Sequence, residues 1–335
     1  MNGPTLSIRG LEVTFTSGGR MIDALRGVDL DVHEGTIHGL VGESGSGKSV
    51  TSRSVLGLLP PNATRVSADR MNFEDRDLGE MTEETLRTIR GAEIAMIFQE
   101  PGKHLDPAFR IGFQIAEVIR AHKKVARRRA EDETRELLDL VGLGNDERAR
   151  FSYPHELSGG MKQRAMIAMA LSCQPRLLIA DEPTTALDVT VQRRILDLFR
   201  TINSRLRMAL LFISHDLGVI ESIADYVSVI YAGKIIESAP RAEMFDDPKH
   251  PYTKLLLDAI PDPSMRGKRL TAIPGTVPDA ESTPSGCAFH PRCPFAEEVC
   301  TKEIPAWKPV SKDHFAACHL IGTHDLIVEG VGRSR

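Results

Sequence analysis

Several features that would assign this sequence to a class at once are missing from it. It has no run of about 20 apolar residues, only short stretches such as residues 208–213, so no membrane-spanning helix is expected. Its 42 Lys and Arg against 46 Asp and Glu give a formal net charge of −4, so no basic field points to nucleic acid. No basic stretch followed by an apolar one opens the sequence, so no secretory signal is predicted and a cytosolic location is expected.

Cysteine is also scarce, with five residues in a chain of 335. In a cytosolic protein these cysteines are expected to be thiols or metal ligands rather than disulfides. The length suggests about two domains, or one large domain with an appendage. Hydrophobic residues make up 41% of the chain, which is typical of an ordinary globular protein.

A glycine-rich loop follows the apolar residues 36–41 and leads into a segment that favours a helix. Glycines allow backbone N–H groups to turn inward around phosphate oxygens, Lys48 brings a positive charge to the β- and γ-phosphates, and Ser49 supplies a hydroxyl for Mg²⁺. The positive end of the helix dipole lies at the same point. The loop therefore predicts a nucleoside-triphosphate site. Its residues are Gly42, Glu43, Ser44, Gly45, Ser46, Gly47, Lys48 and Ser49.

The hydrophobic pattern predicts an α/β fold. Residues 6–15 and 28–32 alternate apolar and polar positions, as antiparallel strands do. Short apolar runs, typical of strands in a mainly parallel sheet, then alternate with helical segments. These runs are residues 94–98, 177–180, 210–213 and 227–231.

Two longer segments complete the layout. Residues 107–170 are mostly helical, and their charged piece at 123–136 indicates a solvated helix with i,i+4 ion pairs; contact with anionic lipid or an acidic partner is the alternative. After residue 246 frequent prolines predict a loop-rich tail, which holds four of the five cysteines. We therefore place a boundary near residues 240–255, between a domain at 1–245 and an extension at 246–335.

Asp181 and Glu182 end the apolar run that begins at Leu177. A buried parallel strand would deliver both carboxylates to the edge of the sheet beside the phosphate loop. Asp181 suits Mg²⁺, which prefers oxygen ligands, and Glu182 suits a general base or an orienting group for the attacking water. An exposed acidic turn before Pro183 is the alternative.

A second anion-binding pattern lies at residues 157–161, Leu-Ser-Gly-Gly-Met, before a helical run. A serine and two glycines at a helix start present backbone N–H groups much as the first loop does. Ser158, Gly159 and Gly160 are therefore candidate binding residues, although such a segment taken alone is more often a capped helix start.

The order of these motifs resembles the nucleotide-binding subunit of ATP-binding cassette (ABC) transporters, over residues 6 to about 240. The resemblance implies a P-loop NTPase cassette with a mixed-sheet core, an antiparallel β subdomain and an α-helical subdomain at about 107–170. The matching motifs are the Walker A loop at 42–49, a Q-loop at Gln99, the signature at 157–161, Walker B at 177–182, a D-loop at Ala186, Leu187 and Asp188, and a switch histidine, His215.

The resemblance also implies a composite active site. In this family two subunits pair head to tail, and each ATP lies between the Walker A loop of one and the signature of the other. Ser49, Gln99 and Asp181 would serve Mg²⁺ directly or through water. Glu182 would activate the water and His215 would contact the γ-phosphate, so Glu182, His215 and Gln99 are the predicted catalytic residues.

Three positions need separate comment. Phe15 sits where the family keeps an aromatic that stacks on adenine; a core aromatic is the alternative. Met161 replaces the commoner glutamine of the signature, which leaves Ser158 and the backbone amides in place. Residues 102–106 differ from the usual sequence after the Q-loop, at a segment that lies near the membrane partner in the family.

The tail is identified by a second resemblance, to the C-terminal extension of ATPases that serve oligopeptide and dipeptide importers. It covers most of residues 248–320, with His-Pro-Tyr-Thr-Lys-Leu-Leu at 250–256 and Ile-Pro-Gly at 273–275. Four cysteines, with five, six and seventeen residues between them, follow a spacing unlike a zinc ribbon. The resemblance implies a [4Fe–4S] cluster, with zinc or free thiols as alternatives. The cysteines are Cys287, Cys293, Cys300 and Cys318.

The sequence therefore predicts the ATPase subunit of a bacterial peptide importer, peripheral on the cytoplasmic face of the inner membrane. Its expected cofactors are ATP and Mg²⁺, with the cluster as a third. Its expected partners are a second ATPase subunit, by family habit a homologous one, two membrane-spanning permease subunits and an extracytoplasmic substrate-binding protein, without nucleic acid. The alternatives are the same transporter class with nickel, glutathione or sugar as cargo, or a soluble cassette ATPase outside transport.

Overall fold

The fold was analysed on a computed structural model, which describes residues 3–144, 147–185, 187–260 and 273–322. Its strands are β1 (Leu6–Ser17), β2 (Arg20–Val32), β3 (Ile37–Val41), β4 (Thr64–Ser67), β5 (Arg70–Phe73), β6 (Arg76–Asp77), β7 (Ile94–Ile97), β8 (Leu177–Asp181), β9 (Ala209–Ser214), β10 (Tyr226–Tyr231), β11 (Lys234–Pro240), β12 (Lys308–Pro309) and β13 (Phe315–Ala316). Its helices are α1 (Lys48–Val55), α2 (Glu83–Ile89), α3 (Pro101–His104), α4 (Ile111–Lys123), α5 (Arg127–Leu140), α6 (Glu147–Phe151), α7 (Gly159–Leu171), α8 (Val189–Leu206), α9 (Leu217–Ile223), α10 (Arg241–Asp246), α11 (Pro251–Asp258) and α12 (Glu298–Lys302).

The central sheet has the strand order β12-β13-β11-β10-β3-β9-β8-β7. The five strands from β10 to β7 are parallel, and every residue of β3, β8 and β9 is buried, as expected of strands covered on both faces. In the register, Val41 pairs with Ser214 and Asp181 pairs with Ile213. The carboxyl ends of β3, β9 and β8 therefore meet at one edge, where ligands bind in such sheets.

A second, antiparallel sheet has the order β2-β1-β5-β6, with β4 paired to β1. The alternating residues 6–15 and 28–32 lie in β1 and β2, so those strand predictions are confirmed. A hydrophobic core between the two sheets joins inward residues of both, such as Ile8 and Leu30 from one and Leu211 from the other. The sequence did not reveal β4, β5 and β6, because these strands are only two to four residues long and largely polar.

The predicted helical segment contains α4, α5, α6 and α7. Its charged piece forms the exposed side of α5, where Arg127 pairs with Glu131 and Arg129 pairs with Glu133, each at 2.8 Å and four residues apart. These are the i,i+4 ion pairs expected of a solvated helix. Among the described residues, no helix is both long and apolar enough to traverse a bilayer.

The described part of the tail, residues 246–260 and 273–322, is more ordered than its prolines indicated. Between its loops it forms α11 and α12, and β13 pairs with β11 so that the tail adds two strands to the central sheet. Fully buried Glu237 of β11 anchors it, since its carboxylate accepts hydrogen bonds from the backbone N–H groups of Lys249 and His250 and lies 2.8 Å from His314 Nε2. These contacts join residues far apart in sequence, which local composition cannot reveal.

Candidate functional site

The phosphate loop connects β3 to α1 and is shaped by its glycines. Gly47 precedes the helix with φ 109°, a conformation that L side chains rarely adopt. At Gly42 the backbone approaches β10 so closely that a Cβ atom would lie 2.2 Å from the Ile230 carbonyl oxygen. Other residues at these two positions would displace the loop, so glycine is required here by backbone conformation and by the close approach of β10.

Lys48 lies inside this loop with only 5% of its surface exposed. Its Nζ donates hydrogen bonds to the carbonyl oxygens of Gly42, at 2.8 Å, and Glu43, at 2.9 Å. Burial lowers the pKa of Lys48, while the nearby carboxylates of Glu182, Asp181 and Glu43 oppose that shift. The side chain therefore spans the loop and supplies a cation where phosphate is expected.

Ser49 and Asp181 form the next part of the site. Ser49 Oγ, at the start of α1, donates to Asp181 Oδ1 at 2.9 Å, at the end of β8. Asp181 is 2% exposed, and burial raises the pKa of its carboxyl group. A hydroxyl and a carboxylate side by side are hard oxygen donors, so this pair fits Mg²⁺, which takes few protein ligands and keeps several waters.

Three side chains converge on the carboxylate of Glu182. Its Oε2 accepts hydrogen bonds from Gln99 Nε2 at 2.8 Å and Thr185 Oγ1 at 3.0 Å, and lies 3.1 Å from His215 Nδ1. Gln99, Glu182 and His215 follow β7, β8 and β9, so the parallel sheet brings together residues separated by more than a hundred positions. The predicted catalytic residues thus form one cluster.

Two details of this cluster were not foreseen. Glu182 has φ 48°, a left-handed conformation that costs a non-glycine residue about 1–3 kcal/mol and commonly occurs at functional sites. Thr185 was missed, because a second threonine after Pro183 carries no sequence signal of its contact with Glu182. Gln99 donates a hydrogen bond to Glu182, and its contact with Mg²⁺, directly or through water, stays a prediction.

The signature residues lie elsewhere on the surface. Ser158 is the N-cap of α7, and its Oγ accepts a hydrogen bond from Met161 N at 3.3 Å. Ser158 and Gly159 are exposed, and among the described residues no hydrogen bond joins them to the phosphate loop. At Gly160 a Cβ atom would lie 2.7 Å from Val191 Cγ1 of α8, so glycine lets the two helices approach.

The remaining nucleotide-site predictions have mixed outcomes. Phe15 of β1 pairs with Ile22 of β2 and is half-buried against the core between the sheets, so it serves the packing alternative, and its stacking on adenine stays a prediction. In the D-loop, Ala186 lies outside the described residues. Asp188 caps α8 by accepting a hydrogen bond from Val191 N at 2.9 Å.

The sequence was compared with known families and proteins. It matches the family model described as ABC transporter over residues 25–185, and the model described as oligopeptide/dipeptide transporter, C-terminal region, over residues 236–300. It is 46% identical over 315 residues to the dipeptide transport ATP-binding protein DppD of Bacillus subtilis, with 94% of each chain covered. The chain belongs to the ABC transporter family.

Two further similarities agree with this membership. The chain is 48% identical over 326 residues to a putative peptide import ATP-binding protein of Brucella melitensis, covering 94% of this chain and 96% of that one. The dimeric post-hydrolysis structure of the ATP-binding cassette MJ0796, bound to ADP and Pi, is similar with a TM-score of 0.61 and 25% identity, covering 70% of this chain and 98% of that one. The predictions of an ABC cassette fold and of an ATPase that uses ATP and Mg²⁺ are confirmed.

The four tail cysteines of this ABC protein are free thiols, and the backbone N–H of Cys287 donates to the Cys300 carbonyl oxygen at 2.8 Å. Burial, followed by smaller effects that include the other cysteines of the set, raises the pKa of Cys293 to about 11 and that of Cys318 to about 12, and raises the pKa of Cys287 as well. Four thiols are a suitable donor set for an iron–sulfur cluster. Yet no three His, Cys, Asp or Glu residues in the described part of the chain are arranged to hold a metal ion, so the arrangement does not support the [4Fe–4S] prediction.

Thr185 provides the first test of this site. Replacing it by Val removes one of the hydrogen bonds that fix the Glu182 carboxylate, so we expect kcat for ATP hydrolysis to fall about tenfold with little change in ATP affinity. The matched control is Thr201→Val, which removes a similar hydroxyl on the exposed side of α8. Steady-state hydrolysis and equilibrium ATP titration measure both effects. Equal rates in the two variants would contradict the role of Thr185.

Proposed function

We propose that this ABC protein is the ATP-hydrolysing subunit that energises import of di- and oligopeptides across the bacterial inner membrane. The observation that carries the proposal is the presence, in one chain, of an ABC transporter cassette and the oligopeptide/dipeptide transporter C-terminal region. Relatives that cover nearly the whole chain are named for dipeptide and peptide import, which supports the same cargo class. The division into a cassette at 1–245 and an extension at 246–335 is part of this proposal.

The site residues take the following roles in the proposal. Lys48 and the loop amides hold the phosphates and balance their charge. Ser49 and Asp181 would hold Mg²⁺, with Gln99 as a further candidate ligand, and the bound ion would neutralise charge on the phosphate oxygens. The support is the 2.9 Å contact of Ser49 with Asp181 and the placement of Lys48 among acidic side chains.

Glu182 orients and deprotonates the attacking water in this scheme. Its carboxylate is held by Thr185 and Gln99 and lies beside His215, which leaves little freedom for the group that must align the water. His215, which is about half exposed, is free to turn toward the γ-phosphate. Both roles act on geometry and charge, which is what phosphoryl transfer requires.

A second ATPase subunit completes the site. Ser158 and Gly159 expose a helix N-terminus that is suited to an anion, yet they do not meet the phosphate loop of their own chain. Pairing head to tail with a homologous subunit would bring this signature to the other chain's ATP. ATP binding would thereby drive two subunits together, and its energy becomes available to move a partner.

A cluster of aromatic residues supports docking to a permease subunit. Phe109, Phe113 and Phe151 are each about half exposed, and the Phe109 and Phe113 rings stack with centroids 5.1 Å apart. Phe113 and Phe151 line a cleft in the helical segment that follows the Q-loop residue Gln99. Exposed aromatic patches of this kind typically mark protein interfaces. Two permease subunits, fed by an extracytoplasmic binding protein, would place this chain on the cytoplasmic face of the membrane.

We also propose that a [4Fe–4S] cluster is bound by Cys287, Cys293, Cys300 and Cys318. The support is the chemistry of the four thiols, since Cys293 and Cys318 each lie close enough to other cysteines of the set for their charges to interact. Thiolates are the usual ligands of such clusters, and binding would lower the raised thiol pKa values. No step of hydrolysis depends on this cluster.

Replacing Glu182 by Gln tests the proposed function. We expect ATP binding to persist while hydrolysis falls at least about 100-fold, because the amide cannot take the proton of the attacking water. In vesicles that contain the complete transporter, with ATP on the side of this chain, uptake of labelled di- and tripeptides is expected to fall equally. The matched control is Glu298→Gln on the exposed surface of α12.

Two outcomes would count against this account. Near-normal hydrolysis in Glu182→Gln would contradict the role of Glu182. Full ATPase activity without peptide uptake, but with uptake of nickel, glutathione or a sugar, would reject the cargo and leave the enzyme assignment intact.

The cluster has a separate test. Anaerobically purified protein is expected to contain iron and sulfide and to show a broad visible absorption, and Cys293→Ser is expected to lose both, because one ligand is missing. Cys173→Ser is the matched control, since Cys173 lies outside the tail. Stoichiometric zinc, or no metal at all, in the unmodified protein would reject the cluster.

A further inference from the structure

The extension touches the phosphate loop directly through Arg292. This residue ends the short helical turn His290–Arg292, between Cys287 and Cys293. Its Nη1 and Nη2 donate to Glu43 Oε2 at 2.8 Å and Glu43 Oε1 at 3.1 Å. The result is a two-pronged pairing of guanidinium and carboxylate, the geometry in which such charge-assisted hydrogen bonds are strongest.

Glu43 is the second residue of the phosphate loop, and the contacts around it fix the backbone there. Its N–H donates to the Tyr252 hydroxyl of α11 at 3.1 Å, and its carbonyl oxygen accepts from Lys48 Nζ at 2.9 Å. Arg292 holds its side chain. Two of these three contacts come from residues of the extension, and the loop amides that bind phosphate follow immediately in the chain.

Arg292 is itself rigidly held, with only 4% of its side chain exposed. Its Nε donates to the Pro274 carbonyl at 2.8 Å and its Nη1 to the Tyr231 hydroxyl at 3.3 Å. Burial alone would lower the pKa of Arg292, but the hydrogen bonds to Glu43 and Tyr231 outweigh it and raise the pKa above its ordinary value. The guanidinium is therefore always charged, and Glu43 is its counterion.

An aromatic cluster positions the two residues of the extension that contact Glu43, Arg292 and Tyr252. The rings of Tyr231, Tyr252 and Phe289 lie with centroids 4.6 to 5.3 Å apart, and all three residues are almost fully buried. Tyr231 belongs to the central sheet, whereas the other two belong to the extension. This packing limits the movement of Arg292 and Tyr252 relative to the sheet, so both residues contact Glu43 from fixed positions.

We propose that Arg292 is a positioning residue for ATP binding: by holding Glu43 it keeps the phosphate loop in its binding conformation, which makes the extension a working part of the nucleotide site. The inference depends on ATP binding by the loop and not on the cargo. A charge so thoroughly buried needs a partner, and among the carboxylates of the described residues its partner is the one in the phosphate loop.

The test uses the full-length chain and measures the Kd for ATP with Mg²⁺, the KM and kcat of hydrolysis, and the Tm without nucleotide. Arg292→Met, which keeps the length of the side chain but removes the fork, is expected to raise Kd and KM about tenfold with a small change in kcat, since the loop binds ground and transition states alike. Arg292→Lys keeps the charge without the fork and is expected to fall between. Glu43→Gln is expected to weaken ATP binding in the same direction.

The matched control is Arg20→Met. Arg20, in β2, pairs with Glu281 at 2.7 Å and so also joins the cassette to the extension. Its side chain is exposed, and this ion pair does not involve the phosphate loop. It is expected to leave Kd unchanged. Because Arg292 acts through Glu43, the double variant Arg292→Met with Glu43→Gln is expected to bind ATP no more weakly than the worse single variant.

Three results would overturn the proposal. The first is a lower Tm for Arg292→Met together with a Kd equal to that of the Arg20→Met control, because a residue that contributes only to stability would produce this result. The second is full additivity in the double variant. The third covers failure of Arg292→Met to fold: Arg292→Lys and Glu43→Gln then decide, and unchanged Kd in both rejects the role.

Discussion

The parallel pairing of β9 with both β3 and β8 is the constraint on which the site depends. This pairing aligns Val41, Ser214 and Asp181 at one edge of the sheet. The phosphate loop, the two carboxylates and the switch histidine therefore all lie at that edge. Because side chains pack closely on both faces of these strands, a shift of register would put side chains of different size and shape into each packed position, so the alignment is strongly specified. Chemistry at this edge is therefore a consequence of packing in the core.

The electrostatics of the site follow from that edge. Lys48 and Asp181 are largely removed from water, which lowers the pKa of Lys48 and raises that of Asp181, while the opposite charge of each opposes the shift of the other. Lys48 donates to a loop carbonyl, and Gln99 donates to Glu182. These hydrogen bonds fix the side chains of the site relative to the edge of the sheet.

Much of this was predictable from the sequence, because the functional residues follow buried strands directly. The loop at 42–49, Asp181 with Glu182, and His215 each stand where an apolar run ends, and parallel strands end at a common edge. What the sequence did not reveal depends on contacts between distant residues. Thr185 on Glu182 and Arg292 on Glu43 are examples, because neither residue stands out from its neighbours.

The tail is a second example of contacts between distant residues that the sequence does not reveal. Its prolines and cysteines indicated loops and a metal site, but local composition could not show that β13 joins β11 or that buried Glu237 anchors the chain. The thiols do lie near one another, as expected, without an arrangement that holds a metal among the described residues. Packing against the sheet, rather than the cysteine spacing, explains the order that is present.

In the proposed dimer, each ATP is enclosed by the phosphate loop of one subunit and the signature of the other. The most direct measurement is the reaction of a thiol reagent with Ser158→Cys, followed at that residue by mass spectrometry in a chain that also carries Glu182→Gln. Ser158 is exposed in the single chain, so we predict rapid labelling of the isolated chain with or without ATP, and protection by ATP only when the partner ATPase is present. Protection by ATP in the isolated monomer, or unprotected labelling in the assembled complex with ATP, would contradict the composite site.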